Sequence, residues 1–232
     1  MHTWRAWISP GRAWFGRPER PIVAASLLLI TGLGWLYLAA APMPMPGASG
    51  VWSPGYLALS LAMWFLMMVA MMTPSVAPVV LLYDRVMHRN QPGWHPRTAA
   101  FLLGYLMVWA GFSAAATIAQ AALISAEFID TMGVVAAHRG AALLLLAVAL
   151  YQFSPAKAAC LDRCHSPIGF IVRRRRGPLR DLRAGISHGA WCVGCCGALM
   201  LLLFAGGVMN LAWVAAITVA VAIKKFPAQP NR

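Results

Sequence analysis

Six apolar stretches run through this chain, and they constrain its fold more than any other feature. They lie at about 22–41, 57–83, 98–123, 134–154, 188–206 and 209–226. Each stretch is long enough for a helix that crosses a hydrocarbon core of about 30 Å, which takes about 20 residues. We therefore expect an all-α membrane protein, a six-helix transmembrane bundle formed as one domain over residues 22–226, between a basic segment at 1–21 and a tail at 227–232.

Composition excludes an ordinary soluble domain. Hydrophobic residues make up 60% of the 232 residues and charged residues only 11%, whereas soluble domains carry about 25% charged residues. The net charge of +13 does not indicate nucleic-acid binding, because the basic residues lie between the apolar stretches and form no stripe interleaved with aromatic residues. The placement of these charges indicates orientation instead.

Basic residues occur on alternate connections between the apolar stretches. The connections at 42–56, 124–133 and 207–208 contain no Lys or Arg. The positive-inside rule therefore predicts an N-in, C-in topology. The basic residues assigned to the cytoplasmic side are Arg5, Arg12, Arg17, Arg20, Arg85, Arg89, Arg97, Lys157, Arg163, Arg173–Arg176, Arg180, Arg183, Lys224, Lys225 and Arg232. We interpret the Arg173–Arg176 run as a topology anchor that attracts anionic lipid, with a docking site for a partner as the alternative.

All five cysteines fall into two clusters. Cys160 and Cys164 lie in the predicted cytoplasmic connection 155–187, followed by His165. The flanking prolines predict irregular backbone there, and the cluster is either a point where metal enters or leaves or a pair of ordinary loop thiols. Disulfides are not expected, because the cytosol is reducing and closely spaced intracellular cysteines indicate metal binding or redox chemistry.

The second cluster forms a ladder of soft donors in the fifth apolar stretch. His188, Cys192, Cys196 and Met200 are spaced by four positions, with Cys195 beside them, so a helix presents them on one face. Imidazole, thiolate and thioether favour Cu(I), whereas Zn(II) accepts the first two but has little use for methionine. The alternative is that these cysteines are small packing residues between helices.

A second soft ladder lies in the second apolar stretch. It consists of Met63, Met67 and Met71, with Met68 and Met72 next to it. Methionine stripes often only fill gaps between helices, but this one overlaps in predicted depth with Met200 near the middle of the bilayer. We also expect Pro74 and Pro78 to break the helical hydrogen-bond ladder just beyond it, which is typical of a functional centre in a membrane helix.

The motifs that carry these residues resemble a known family. They are Trp64-x-x-Met67-x-x-Ala70-Met71-Met72-x-Pro74-Ser75, Pro155-x-Lys157-x-x-Cys160-x-x-x-Cys164, His188-Gly-x-x-Cys192-x-Gly194-Cys195-Cys196-x-Ala198-Leu199-Met200 and Gly207-Val208-Met209-Asn210. Together they are similar to the DUF2182 family of predicted metal-binding, copper-chaperone-like membrane proteins. The resemblance implies a bacterial inner-membrane protein that helps to supply copper to enzymes such as tyrosinases. Gly197 replaces a frequent Trp, and Lys224 replaces the usual Glu.

The leading hypothesis is Cu(I) handling. The ladders of the second and fifth stretches would hold or pass the ion, Cys160, Cys164 and His165 would relay it, and a copper-receiving enzyme or metallochaperone would be the partner. Two other classes stay open. One is a membrane thiol redox protein using the Cys192–Cys195 pair, and the other is a non-catalytic scaffold subunit.

Overall fold

The computed structural model describes residues 20–40, 44–47, 50–90, 95–131, 133–135, 138–165, 179–208 and 210–225. In these ranges the chain is helical, apart from turns and one isolated bridge between Ile129 and Val135. The helices, numbered in chain order, are α1 Arg20–Ala40, α2 Pro54–Asn90, α3 His95–Ser125, α4 His138–Gln152, α5 Pro155–His165, α6 Arg180–Leu201, α7 Leu203–Gly206 and α8 Leu211–Lys225.

Four helical segments are long and apolar enough to cross a membrane. They are Val23–Ala40, Pro54–Asp84, Pro96–Ser125 and Arg180–Gly206. A fifth would be the pair Gly140–Gln152 and Pro155–Cys164, bent by 64°, if the pair forms one broken span. The last predicted span corresponds to α8, whose 15 residues extend about 22 Å. The all-helical class is therefore confirmed, while the count of six spans and their orientation stay predictions.

The prolines of α2 do not interrupt it, contrary to our expectation. The helix is continuous from Pro54 to Asn90, with Pro74 and Pro78 inside it. Hydroxyl groups beside the first proline bond back to main-chain carbonyls, Thr73 Oγ1 to Val69 O at 2.6 Å and Ser75 Oγ to Met72 O at 2.9 Å. These side-chain donors support the backbone next to the point where a proline removes an N–H group, so the helix continues.

Glycines bring α3 and α6 into close contact. A Cβ atom on Gly185 would collide with the carbonyl group of Phe101, and one on Gly104 would collide with the carbonyl group of Leu182. Small residues allow such close approach between apolar helices. The contact brings one face of α6 directly against the aromatic side chains of α3.

Helix α5 lies where we expected an irregular loop. Pro155 begins this helix, which packs against α6. The guanidinium carbon of Arg163 lies 4.3 Å from the ring centroid of Trp191, a cation–π contact that holds the two helices together. The Arg173–Arg176 run and the predicted lipid contact lie outside the described residues, as does the side chain of His165.

Candidate metal site

The two predicted cysteine clusters form a single group between α5 and α6. Cys195 Sγ lies 3.5 Å from Cys164 Sγ and 3.2 Å from Cys196 Sγ. Cys160 packs against Gly194, where an added Cβ would lie 2.7 Å from its Sγ atom. We call these four cysteines, together with Cys192, the thiol group. Its members are buried except Cys160, which is half-buried, so the group belongs to the protein core.

Cys192 connects the thiol group to α3 and α8. Its Sγ atom lies 3.4 Å from the Tyr105 hydroxyl and accepts a hydrogen bond from Lys225 Nζ at 2.9 Å. Cys192 is 0% exposed, so these two groups are polar neighbours of its sulfur within a largely apolar core. A cation at this distance stabilises a thiolate, the form of cysteine that binds metal.

Lys225 also joins the thiol group to the methionines of α2. Its ammonium group donates to Ser75 Oγ at 3.2 Å, and the same hydroxyl lies 3.8 Å from Met72 Sδ. The contacts therefore lead from a thioether of α2, through a hydroxyl and an ammonium group, to the thiol of Cys192. The contacts of Lys225 therefore join α2, α6 and α8.

A second lysine lies close to the same thiols. Lys157 of α5 is only 5% exposed and interacts electrostatically with Lys224 and, more weakly, with Cys196 and Cys195. By contrast, Lys224 is exposed and donates to Gln152 Oε1 at 2.9 Å. Adjacent lysines of α8 therefore differ in environment, and the second of them is the one that donates to Cys192.

The ladder of α6 is buried along its whole length. His188, Cys192, Cys196 and Met200 are 2%, 0%, 3% and 0% exposed. The His188 ring lies against α3, with its centroid 5.9 Å from that of Tyr105 and 6.0 Å from that of Phe101. The four residues thus share one buried face, as their spacing predicts, and the His188 end of that face packs against the aromatic side chains of α3.

The methionines of α2 are buried as well. Met63, Met67, Met68, Met71 and Met72 are each at most 1% exposed. This burial is consistent with a packing role and equally with a row of thioethers that binds metal away from solvent. Met72 has a described polar contact that leads to the thiol group, through Ser75 and Lys225.

The thiols do not stand in a preformed metal site. Over the described ranges no three His, Cys, Asp or Glu side chains have the arrangement needed to hold an ion. Sulfur atoms 3.2 and 3.5 Å apart are hydrogen-bonded thiols. Two sulfurs bound tetrahedrally to one ion at about 2.3 Å would be about 3.8 Å apart. The described sulfurs are therefore closer together than ligands of one ion would be, so metal binding requires them to move apart.

Sequence reasoning missed Lys225, Tyr105 and Ser75. The lysine at the end of an apolar helix was interpreted only as an orientation signal. Ser75 was quoted in a motif without being given a role, and Tyr105 belongs to none of the motifs. Their positions depend on how α3, α2 and α8 pack around α6. The available signal for Tyr105 was its hydroxyl group within an apolar stretch, because a buried tyrosine hydroxyl usually needs a hydrogen-bond partner.

The fold and the thiol group together define a class: an all-helical protein, rich in long apolar helices, with a soft-donor centre in its core. A family model described as copper chaperone, PpoB2, matches residues 61–232. Because the match covers most of the chain and includes every cysteine, the chain belongs to this copper chaperone family. No curated protein and no solved structure matches it.

Proposed function

We propose that this protein is a membrane-embedded copper chaperone that binds Cu(I) through the thiol group and delivers it to a copper-receiving enzyme or metallochaperone. The observation that carries the proposal is the meeting of α5 and α6 cysteines, with Cys195 Sγ 3.5 Å from Cys164 Sγ. Membership of a copper chaperone family supports copper as the cargo.

Exposed apolar side chains support the membrane location. Leu28 and Leu36 of α1 are 73% and 64% exposed, and Leu143 and Leu150 of α4 are 67% and 65% exposed. Soluble monomers seldom expose contiguous apolar surface on this scale, whereas lipid chains would cover it at no cost. The helix lengths given above agree with this environment.

The charges near the thiols support thiolate ligation. A Cu(I) ion held by two thiolates has a net charge of minus one, and a buried charge is costly unless it is paired. Lys225 Nζ, 2.9 Å from Cys192 Sγ, supplies a positive charge for such a centre. Lys157, buried beside Cys195 and Cys196, supplies a second one.

The methionines of α2 form the approach to the thiolates in this proposal. Thioethers bind Cu(I) more weakly than thiolates, so an ion moving along Met63, Met67 and Met71 would be released to the thiol group. The contact of Met72 with Ser75, and of Ser75 with Lys225, supports continuity between the two sets. His188 and Met200 extend the ladder of α6 on either side.

Thiol redox chemistry is the competing function, and the family match favours copper. The proposed redox pair was Cys192 with Cys195, yet Cys195 Sγ donates to the main-chain oxygen of Cys192 at 3.2 Å. The sulfur of Cys192 is engaged with Tyr105 and Lys225. A thiolate stabilised by a cation can serve as a metal ligand or as a redox nucleophile, so membership of the copper chaperone family is what favours copper here.

Metal competition tests the proposal. Protein purified anaerobically in lipid nanodiscs is offered equal Cu(I) and Zn(II), and retained metal is measured by mass spectrometry. We expect retention of copper, because zinc makes little use of the thioethers near the thiols. Preferential retention of zinc would contradict Cu(I) as the cargo. Retention of neither metal, with loss of free thiols on mild oxidation, would contradict the proposal and favour redox chemistry.

A further inference from the structure

A positively charged group forms where three helices of the described chain begin or end. Gln152 is the last residue of α4, Lys157 lies in the first turn of α5, and Lys224 lies in the last turn of α8. Lys224 Nζ donates a hydrogen bond to Gln152 Oε1 at 2.9 Å, and Lys157 interacts electrostatically with Lys224. We call these three residues the basic cluster.

The two ammonium groups of the basic cluster repel each other. Lys157 is largely buried, so water screens this repulsion less than it would at an open surface. The Gln152 amide turns its oxygen towards Lys224, and its Nε2 atom is buried without an acceptor in the described part of the chain. The basic cluster therefore contains two positive charges and an excess of hydrogen-bond donors. A bound anion with several acceptor oxygens would compensate both.

The basic cluster lies where apolar helices end. The last turn of the apolar helix α8 carries Lys224, which is exposed. Helix α4 ends at the 64° bend between Gly140–Gln152 and Pro155–Cys164. In the membrane location proposed above, charged residues at the end of an apolar helix lie at the level of the lipid headgroups.

Exposed apolar side chains lead along both helices to the basic cluster. Leu146 and Leu150 of α4 are 56% and 65% exposed, and Val219 and Ile223 of α8 are 56% and 67% exposed. Each pair is spaced by four positions, so each forms a stripe along its helix. The stripes approach the cluster, since Ile223 directly precedes Lys224. Positive charge at the end of exposed apolar stripes matches a lipid with an anionic headgroup.

We propose that the basic cluster binds the phosphate of an anionic phospholipid between Lys157 and Lys224, with the acyl chains along the exposed stripes of α4 and α8. The proposal rests on the membrane location in the proposed function and not on copper. The phosphate would relieve the repulsion between the ammonium groups and accept hydrogen bonds from both. The first turn of α5, which holds Lys157, adds the partial positive charge of a helix N-terminus.

The charge of the chain favours a lipid over a second copy on this face. Each copy carries a net charge of +13, so a second copy would bring further positive charge towards the basic cluster. A zwitterionic phospholipid has the phosphate but also a cationic choline, which would lie near two lysines. We therefore expect a preference for an anionic headgroup.

Native mass spectrometry of the full chain, released from detergent, tests the preference. Phosphatidylglycerol and phosphatidylcholine are titrated separately, and we expect tighter binding of the first. Lys224→Glu should weaken phosphatidylglycerol binding at least about tenfold, because a basic residue near an anionic lipid contributes about fivefold and its reversal adds repulsion. Lys224→Arg should keep wild-type affinity. Arg183→Glu is the matched control, because it makes the same charge change at an exposed residue of α6.

Crosslinking locates the acyl chains. Phosphatidylglycerol with a diazirine in its acyl chain should label α4 and α8 in the wild-type protein, and this labelling should fall in Lys224→Glu. Glycerol phosphate, which lacks acyl chains, should not compete at the concentrations at which the lipid binds.

Four results would overturn the lipid site. They are equal binding of the two lipids, equal losses in Lys224→Glu and Arg183→Glu, labelling confined to other helices, and effective competition by glycerol phosphate, which would indicate a site for free phosphate. A dimer that takes up no lipid would assign this face to a second copy instead. Loss of copper retention with lipid binding intact would contradict the proposed function and leave the lipid site standing.

Discussion

Lys225 Nζ donates to Cys192 Sγ at 2.9 Å, which joins the end of α8 to the middle of α6. The same ammonium group reaches Ser75 of α2, so one side chain connects three helices at the thiol group. A half-buried cation beside a buried thiol is stabilised by forming a charge pair with it or by other polar partners. This contact is the main support for the proposal that Cys192 is an anionic ligand.

Lys225→Met should weaken copper binding without loss of the fold. Hydrogen bonds to charged groups contribute about 1.5–3 kcal/mol, which corresponds to roughly a tenfold to hundredfold loss of Cu(I) affinity. Lys224→Met is the matched control, because Lys224 is exposed and bonds to Gln152. Affinity is measured by competition with a Cu(I) chelator, and equal affinities in both variants would refute the charge-pair role of Lys225.

Gly185→Ala should destabilise the packing of α3 on α6. The added methyl group would collide with the Phe101 carbonyl group, and such overpacking costs about 1–3 kcal/mol. Gly111→Ala is the control, because a Cβ atom added there would have no neighbour within 4 Å and alanine favours a helix by about 0.5–1 kcal/mol. Thermal unfolding in detergent should show a lower midpoint for the first variant and an equal or higher one for the second.

Met67→Leu with Met71→Leu should slow copper loading and leave the final copper content unchanged. Leucine nearly conserves the volume of methionine, so both buried positions stay filled while the thioethers are lost. Met107→Leu serves as the control, since Met107 is 52% exposed on α3. Stopped-flow loading rates check this prediction; if the double variant instead lost its retained copper, the methionines would be the holding site.

The predicted orientation can be checked with single cysteines in a background that lacks the native five. Met45→Cys and Phe153→Cys suit this test, because these side chains are 58% and 89% exposed. The positive-inside rule predicts that an impermeant maleimide reaches position 45 from outside and position 153 only from inside. Labelling of position 45 from the cytoplasmic side alone would reverse the topology.

The helical class was predictable from the sequence, because long apolar stretches have few stable structures other than helices. The shared buried face of His188, Cys192, Cys196 and Met200 was predictable too, since helical spacing decides it locally. The approach of Cys164 to Cys195 through α5 was not, because that contact joins residues 31 positions apart. The two flanking prolines favoured a loop there, and packing against α6 outweighed that local preference.

The proximity of Lys225 to Cys192 could not be predicted either, because these residues are 33 positions apart in the sequence. Nothing local distinguishes Lys224 from Lys225, because adjacent positions on a helix differ only in the direction of their side chains. Only the packing of α8 against α2 and α6 decides which of the two lysines reaches Cys192. The ligand roles themselves stay predictions, since an arrangement ready for metal is absent from the described part of the chain.

X-ray absorption at the copper edge tests most directly whether the thiol group holds Cu(I). The measurement compares copper-loaded wild type with Cys192→Ser plus Cys196→Ser, and with Cys164→Ser on α5. We predict a first shell of sulfur atoms in wild type, no retained copper in the double variant, and a strong reduction in the Cys164 variant, because thiolates from both helices share the ion. A folded double variant that keeps its full copper content, or a wild-type shell dominated by nitrogen and oxygen, would contradict it.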